Sequence, residues 1–337
     1  MFVKGNMQNM TKYVKWLIWL SGVFLCSESA AQQLPLYSQY MMNGFLLNPA
    51  LTGSDVYTSV NITAREQWVG FTNAPRTHAI SAQTRLLRKS FISRSTTVRR
   101  KIRRPTRSGR VGIGGYIFSD QNGITNRTGA QFTYAYHIPM DENQLSFGLA
   151  LSAYQFRIND EDIVLYQDVD PLLDGSDKVL FIPDASFGVM LTSQDYFAGF
   201  SVTELFQASL KFGKNNYESY RLHRHYYLMG GYTFDINREF SIQPTVLVKS
   251  TTQNIHQIQV DFNTRVYYRD DYWAGISWRT RDAMVIMAGV KFSQYYIGYA
   301  FDYTLSNIRK YSFGSHEFML AAKFGDNARR YRWIQRY

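Results

Sequence analysis

The side chains able to do chemistry in this sequence are few and dispersed. His78, His137, His223, His225, His256 and His316 are scattered along the chain. Only His223-Arg224-His225 has ligand-like spacing, because residues i and i+2 share one face of a strand. It has no third ligand in the sequence, and the arginines beside it repel a cation. The run Asn159-Asp160-Glu161-Asp162, followed by Asp168, Asp170, Asp174 and Asp177, offers oxygen ligands for calcium. Its spacing lacks the regularity of a calcium loop and reads as a solvated acidic loop. Cys26 is the single cysteine, which excludes disulfide frameworks, CxxC redox pairs and cysteine-rich zinc sites. No Gly-x-Ser-x-Gly, phosphate loop or dinucleotide fingerprint stands in a suitable context. Gly112-Ile113-Gly114-Gly115 falls inside an alternating segment and reads as close packing in a strand wall. No catalytic, cofactor or metal site is expected, and the chain does not read as an enzyme.

The elements around these residues say more. The first 31 residues have the form of a secretory signal peptide. Lys4, Lys12 and Lys15 precede the apolar stretch 16–26, and Ser29-Ala30-Ala31 supplies small residues for cleavage before Gln32. A signal anchor and a lipoprotein beginning at Cys26 are the rival readings. The first suffers from the shortness of the stretch, the second from bulky Leu25. The chain has 337 residues and a formal net charge of +11, but the basicity is local. Eleven Lys or Arg and no acid lie between Arg85 and Arg110, including Arg99, Arg100, Lys101, Arg103 and Arg104. The tail 326–337 is also Arg-rich, so the remainder of the chain is mildly acidic. In a secreted chain such a block points to anionic envelope polymers, lipid head groups or an acidic protein rather than to nucleic acid.

Beyond the basic block, segments of about ten residues alternate apolar with polar or small side chains. The segment 257–266 has its apolar members on even positions, and 145–152, 284–292 and 297–303 follow the same rhythm. This predicts about fourteen strands, near 55–66, 77–87, 110–119, 129–138, 144–155, 184–193, 196–206, 222–236, 240–251, 256–268, 272–280, 283–293, 295–305 and 313–324. Gaps after even-numbered strands are mostly tight; gaps after odd ones are mostly longer, notably 156–183 and 207–221. Short turns at one rim and long loops at the other fit an outer-membrane β-barrel, whose short turns face the periplasm. Aromatics make up 16% of the chain. Tyr226, Tyr227, Tyr232, Tyr267, Tyr268, Tyr272, Trp273, Trp278, Tyr295, Tyr296, Tyr299 and Tyr303 cluster near strand ends, where interfacial belts belong. A secreted β-sandwich or β-helix is the soluble alternative, and it gives those aromatics no reason to be there.

Charges on membrane strands belong on the inside, because facing lipid at mid-depth costs a few kcal/mol each. Gln257, Gln259, Asp261, Asn263 and Arg265, which project together, and Lys249, Asp302, Glu317 and Lys323 on similar faces are therefore expected to line the lumen or to pair with a plug. The segment Leu34 to Gly53, with the turn signal Asn48-Pro49, is neither alternating nor disordered in composition, so it is expected in or against the lumen. The organisation is thus a signal peptide at 1–31, an N-terminal segment at 32–54, a barrel at 55–325 with a basic insertion at 88–109, and a tail at 326–337.

Several residues together resemble the PorP/SprF family. They are Tyr37-Ser38-Gln39-Tyr40, Asn48-Pro49-Ala50, Gly53, Arg65-Glu66-Gln67-Trp68-Val69-Gly70 and Ala74-Pro75-Arg76-Thr77. Further along come Phe118-Ser119-Asp120 with Gly123, Pro183-Asp184 before Phe187-Gly188, Gln243-Pro244 through Lys249, and Gly314-Ser315-His316-Glu317. The resemblance implies an outer-membrane barrel of the Bacteroidota type IX secretion system, in some members tied to gliding motility. It implies as partners secreted surface proteins with a C-terminal sorting domain, other secretion components and outer-membrane lipid. Tyr37, Gln39, Tyr40, Asn48, Pro49, Arg65, Gln67, Trp68, Pro75, Arg76, His316 and Glu317 are then expected to hold structure or contact partners. The basic insertion departs from the compact turn expected there. A porin-like channel for small solutes is the alternative function.

Overall fold

The computed structural model describes residues 37–54, 57–86, 110–140, 143–158, 179–212, 218–252 and 258–324. The predicted signal peptide, the basic insertion with Arg99, Arg100, Lys101, Arg103 and Arg104, the acidic loop 159–177 and the Arg-rich tail lie outside the described residues. The strands are β1 (Thr58–Glu66), β2 (Arg76–Leu86), β3 (Val111–Asn122), β4 (Thr125–Met140), β5 (Asn143–Ile158) and β6 (Val179–Thr192). They continue with β7 (Tyr196–Thr203), β8 (Ser209–Phe212), β9 (Glu218–Arg221), β10 (His225–Tyr232), β11 (Phe234–Asp235) and β12 (Phe240–Thr251). The last are β13 (Gln259–Tyr268), β14 (Tyr272–Arg279), β15 (Ala283–Phe292), β16 (Tyr295–Thr304) and β17 (Ser315–Phe324).

Fourteen of them close into one antiparallel barrel. Neighbours in sequence pair with each other, β10 bridges β7 and β12, and β1 pairs with β17 to seal the ring. The hairpin β8–β9 forms a separate sheet inside the long connection between β7 and β10, and β11 is a short addition beside β12. Closure leaves no edge strand, and the ladders pair the backbone N–H and C=O groups of the strands without water.

The alternation is inverted relative to a soluble protein. On β1, Ser59, Asn61, Thr63 and Arg65 are buried while Ile62 is exposed. Ile276, Ile286 and Phe318 point outward on β14, β15 and β17. Part of the predicted belt needs correction. Tyr227 and Trp273 are buried inside the barrel, at 5 % exposure each, and Tyr267 packs with Met41 and Met42 against that inner core. Consecutive residues on a strand take opposite faces, so Tyr226-Tyr227, Tyr267-Tyr268 and Tyr272-Trp273 each send one ring in and one out. Tyr232, Tyr272, Trp278, Tyr295, Tyr299 and Tyr303 do face outward.

The rims also differ from each other. One carries the connections 67–75, 159–178, 204–224 and 305–314 and is called the loop rim here; the other carries 141–142, 193–195, 269–271 and 293–294. The gap expected at 120–128 does not exist. β3 and β4 run on to a two-residue turn at Gly123-Ile124, where Gly123 takes the left-handed conformation (φ 60°). β4 and β5 reach 16 residues against 8 to 10 for β14 to β17, so this wall stands taller than a membrane requires. The described residues contain no α-helix. Two single 3-10 turns, Gly44–Leu46 and Pro49–Leu51, belong to the segment that fills the barrel.

Candidate functional site

Residues 37–53 run through the barrel from the loop rim to the opposite rim. At the loop-rim end the segment meets charges. Arg65 and Glu317 are register partners on β1 and β17, and Arg279 and Asp261 are partners on β14 and β13. Inward-facing positions of adjacent strands thus deliver opposite charges to one place. The Glu317 carboxylate accepts from two successive backbone amides, Ser38 N at 2.6 Å and Gln39 N at 2.8 Å. Arg65 bridges Glu317 at 3.1 Å and Asp302 at 2.7 Å, and also donates to the Ser38 hydroxyl at 2.8 Å. Ser38 Oγ in turn donates to Asp302 Oδ2 at 2.7 Å. Arg279 reaches Asp261 at 3.0 Å, Asp282 at 3.1 Å and Asp302 at 3.4 Å, while Lys249 adds Asp261 at 3.2 Å.

Arg65, Arg279 and Glu317 are fully buried. Taking an ion out of water costs several kcal/mol, which is recovered only when opposite charges and hydrogen bonds complete the set. Here each charge has a partner of the other sign, and the segment's own amides and hydroxyl bond to Glu317 and to Asp302 Oδ2, while Asp302 Oδ1 and Arg65 Nε stay without a hydrogen bond among the described residues.

The far end is held differently. The Asn48 side chain accepts from Ala50 N at 2.9 Å, capping the turn that Pro49 begins, and donates to the wall carbonyls of Val189 at 3.1 Å and Phe200 at 3.3 Å. Ser201 Oγ donates to Leu47 O at 2.7 Å, a ring nitrogen of His137 meets Thr52 O at 3.0 Å, and Gly53 N donates to Gln83 at 2.9 Å. The chain lies so close to the wall that a side chain at Gly148 would strike the Pro49–Ala50 peptide, and one at Gly112 would strike Thr52 O. The close-packing expectation for Gly112 holds, with the lumen segment as the neighbour. Between the two ends, Asn43 bonds Ser81 at 3.0 Å, and Met41 and Met42 pack with Trp273, Val285 and Met287. A cavity of about 50 Å³ beside Met41, Met42, Phe45 and Met229 has room for a few waters and no more.

The structure brings together Tyr37, Gln39, Arg65 and Glu317 at one end of this segment, with Tyr40 next to them and Asn48 and Pro49 at the other. Gln67 and Pro75 close the first loop through Gln67 N to Pro75 O at 2.8 Å, and Trp68 (φ 48°) donates its N–H to Ser315 Oγ at 3.1 Å. Arg76 and His316 stand apart. Arg76 is exposed, 3.9 Å from Glu66, and His316 faces outward with its Nδ1 2.8 Å from the Tyr299 hydroxyl. The sequence reading missed Ser38 as a hinge of the ionic cluster and Arg279 as its centre. The inward phase of β14 marks Arg279, but only pairing with β13 shows its partner.

A second cluster, also missed, anchors the long loop at the same rim. Glu204, one residue past β7, has φ 56° and is buried. Its carboxylate accepts from Arg127 at 3.1 Å and from the Tyr154 hydroxyl at 3.2 Å, while Phe206 N donates to Asp184 at 3.0 Å. Burial pushes the Glu204 carboxyl up to about 7, Asp184 adds to the rise, and Arg127 opposes it. Among the described residues no group of three His, Cys, Asp or Glu is placed to hold a metal ion.

This is a membrane β-barrel whose lumen is filled by its own N-terminal segment, with ordered loops around one mouth. The chain belongs to the family of type IX secretion system membrane proteins PorP/SprF, which matches residues 29–322. Solved structures similar to it include the toluene transporter TbuX of Ralstonia pickettii (12% identity, 88% of this chain and 96% of that one, TM-score 0.46). Another is the Acinetobacter baumannii outer membrane protein Omp33 (6% identity, 81% and 100%, TM-score 0.42). No curated protein sequence matches the chain.

Proposed function

We propose that this protein is a non-enzymatic outer-membrane component of the type IX secretion system, assisting export or cell-surface attachment of proteins that bear a C-terminal sorting domain. Gliding adhesins are among the cargoes such a role covers. The observation that carries the reading is the occupied lumen. Residues 37–53 bond to strands around the ring, so the barrel is built as a support for its mouth rather than as a conduit. Short turns at one rim orient that rim to the periplasm and the mouth loops to the cell surface. On the periplasmic side, the basic insertion between β2 and β3 is proposed to dock an acidic or peptidoglycan-linked partner. The family membership, which is that of a type IX secretion membrane protein, supplies the system.

The test is affinity purification of the tagged protein from detergent-solubilised outer membranes, with mass spectrometry of what accompanies it. Recovery of a large surface protein carrying the sorting domain is the expected result. Recovery of the barrel alone, together with conductance in bilayers, would transfer the assignment to a channel. For the insertion, deletion of 88–107 is expected to lower recovery of the periplasmic partner; unchanged recovery and secretion would remove that contact from the account.

A further inference from the structure

The connection 305–314 at the loop rim is built as a fixed platform. Tyr311 N bonds Ile308 O at 2.9 Å, Phe313 N bonds Val69 O at 2.8 Å, and Val69 N bonds Gly314 O at 2.9 Å. These bonds tie the last loop to the first, and the Phe71 and Tyr311 rings meet edge to face at 6.4 Å. The platform nevertheless presents apolar surface to solvent: Phe313 is 80 % exposed and Tyr311 73 %. Beside them in sequence are Arg309 and Lys310, both exposed, in the last turn of the short 3-10 helix Asn307–Lys310. Neither has an acidic partner within the described residues.

We propose that this platform binds the phosphorylated head group of an outer-leaflet glycolipid, with Arg309 and Lys310 on the phosphate and Phe71, Tyr311 and Phe313 against the top of the acyl layer. Three observations favour lipid over a protein. The platform follows directly on β16, where Tyr299 and Tyr303 face outward. Ten residues of tilted strand match the roughly 25 Å apolar band, so a basic pair five to six residues beyond the end of β16 falls at head-group height. Two neighbouring cations beside exposed aromatic rings are the complement of an anionic amphiphile. The inference depends on the platform's being at the lipid surface and is independent of which cargo the mouth serves.

The test uses the full-length protein in phosphatidylcholine nanodiscs, titrated with purified lipopolysaccharide as the probe. Each cation near an anionic surface is worth roughly fivefold, so the Arg309→Gln, Lys310→Gln double variant is expected to bind about 30-fold more weakly. Phe313→Ser is expected to weaken binding less, and dephosphorylated lipopolysaccharide to bind the native chain as weakly as the intact lipid binds the double variant. Nanodiscs expose both rims, so the result does not depend on orientation in the cell. Unchanged affinity in the double variant, with its unfolding midpoint retained, would overturn the proposal. So would displacement of the lipid by an equal concentration of inorganic phosphate, which places a free anion there. A double variant that loses a secreted partner but keeps the lipid would likewise assign the patch to protein.

Discussion

The two ends of the lumen segment are held by opposite physical means. Near the loop rim, Ser38 and Gln39 are fixed by side chains, through Glu317, Asp302, Arg65 and Arg279. Near the other rim, Asn48 to Gly53 are fixed by backbone contact: wall carbonyls accept from Asn48, and the wall is thinned to glycine where the segment touches it. An ionic clamp responds to charge and little to shape. A backbone seat responds to a single added carbon and little to charge. The same segment is thus located by electrostatics at one mouth and by sterics at the other.

The largest effect is expected at the ionic end. Glu317→Ala leaves Arg65 short of a partner and the Ser38 and Gln39 amides without an acceptor. Breaking a buried pair in this way costs about 3–5 kcal/mol, read as a lowered urea midpoint in detergent micelles. A midpoint within experimental scatter of the native one would mean that the clamp holds nothing. The seat should be next. Gly148→Val drives two methyl groups into the Pro49–Ala50 peptide, and overpacking of this kind costs about 1–3 kcal/mol. Its signature is faster proteolysis within residues 44–53 while the barrel stays folded, which the clamp variant does not mimic at that end.

A smaller effect separates these from the loop anchor. Glu204 has its carboxyl raised to about 7 in the folded chain from 4.5 when free. A carboxyl raised in the folded chain favours that state fully below pH 4.5, and the advantage is lost as pH rises from there through 7. Stability of the anchor should therefore fall by about 1 kcal/mol between pH 6 and 8, and Glu204→Gln should flatten the slope. Hydrogen exchange of the Leu205 and Phe206 amides reads it directly; an opposite slope would exclude the carboxyl as its source. The smallest effect is expected at the exposed turn, where Arg269 and Glu239 pair at 2.5 Å in open solvent. Arg269→Ala should leave the midpoint unchanged, since water and salt screen such a pair. A measurable loss there would blunt the contrast between buried and exposed charge.

Much of this was readable from the sequence. The period-two rhythm located the fourteen wall strands because lipid outside and polar groups inside impose it on every strand. Inward charges such as Asp302 and Glu317 were legible for the same reason, as lipid does not tolerate them. Three things were not legible. Whether Tyr272 or Trp273 faces lipid depends on a one-residue phase that an aromatic pair conceals. The Gly123 turn hid in a stretch of polar residues with the look of a loop. The partners of Arg279 depend on β13 and β16, whose register is set by turns on both sides rather than by any local motif. Ser38 was legible only as part of the Tyr37–Tyr40 motif, since its role arises when residues of four strands converge on it.

The central claim is that residues 37–53 close the barrel. Single-channel recording of the full-length protein in a planar bilayer tests it most directly. The account predicts a quiet membrane, with steady conductance appearing only when the segment is dislodged, as in Gly148→Val. Stable, open steps from the native protein would contradict it and make the lumen a pathway.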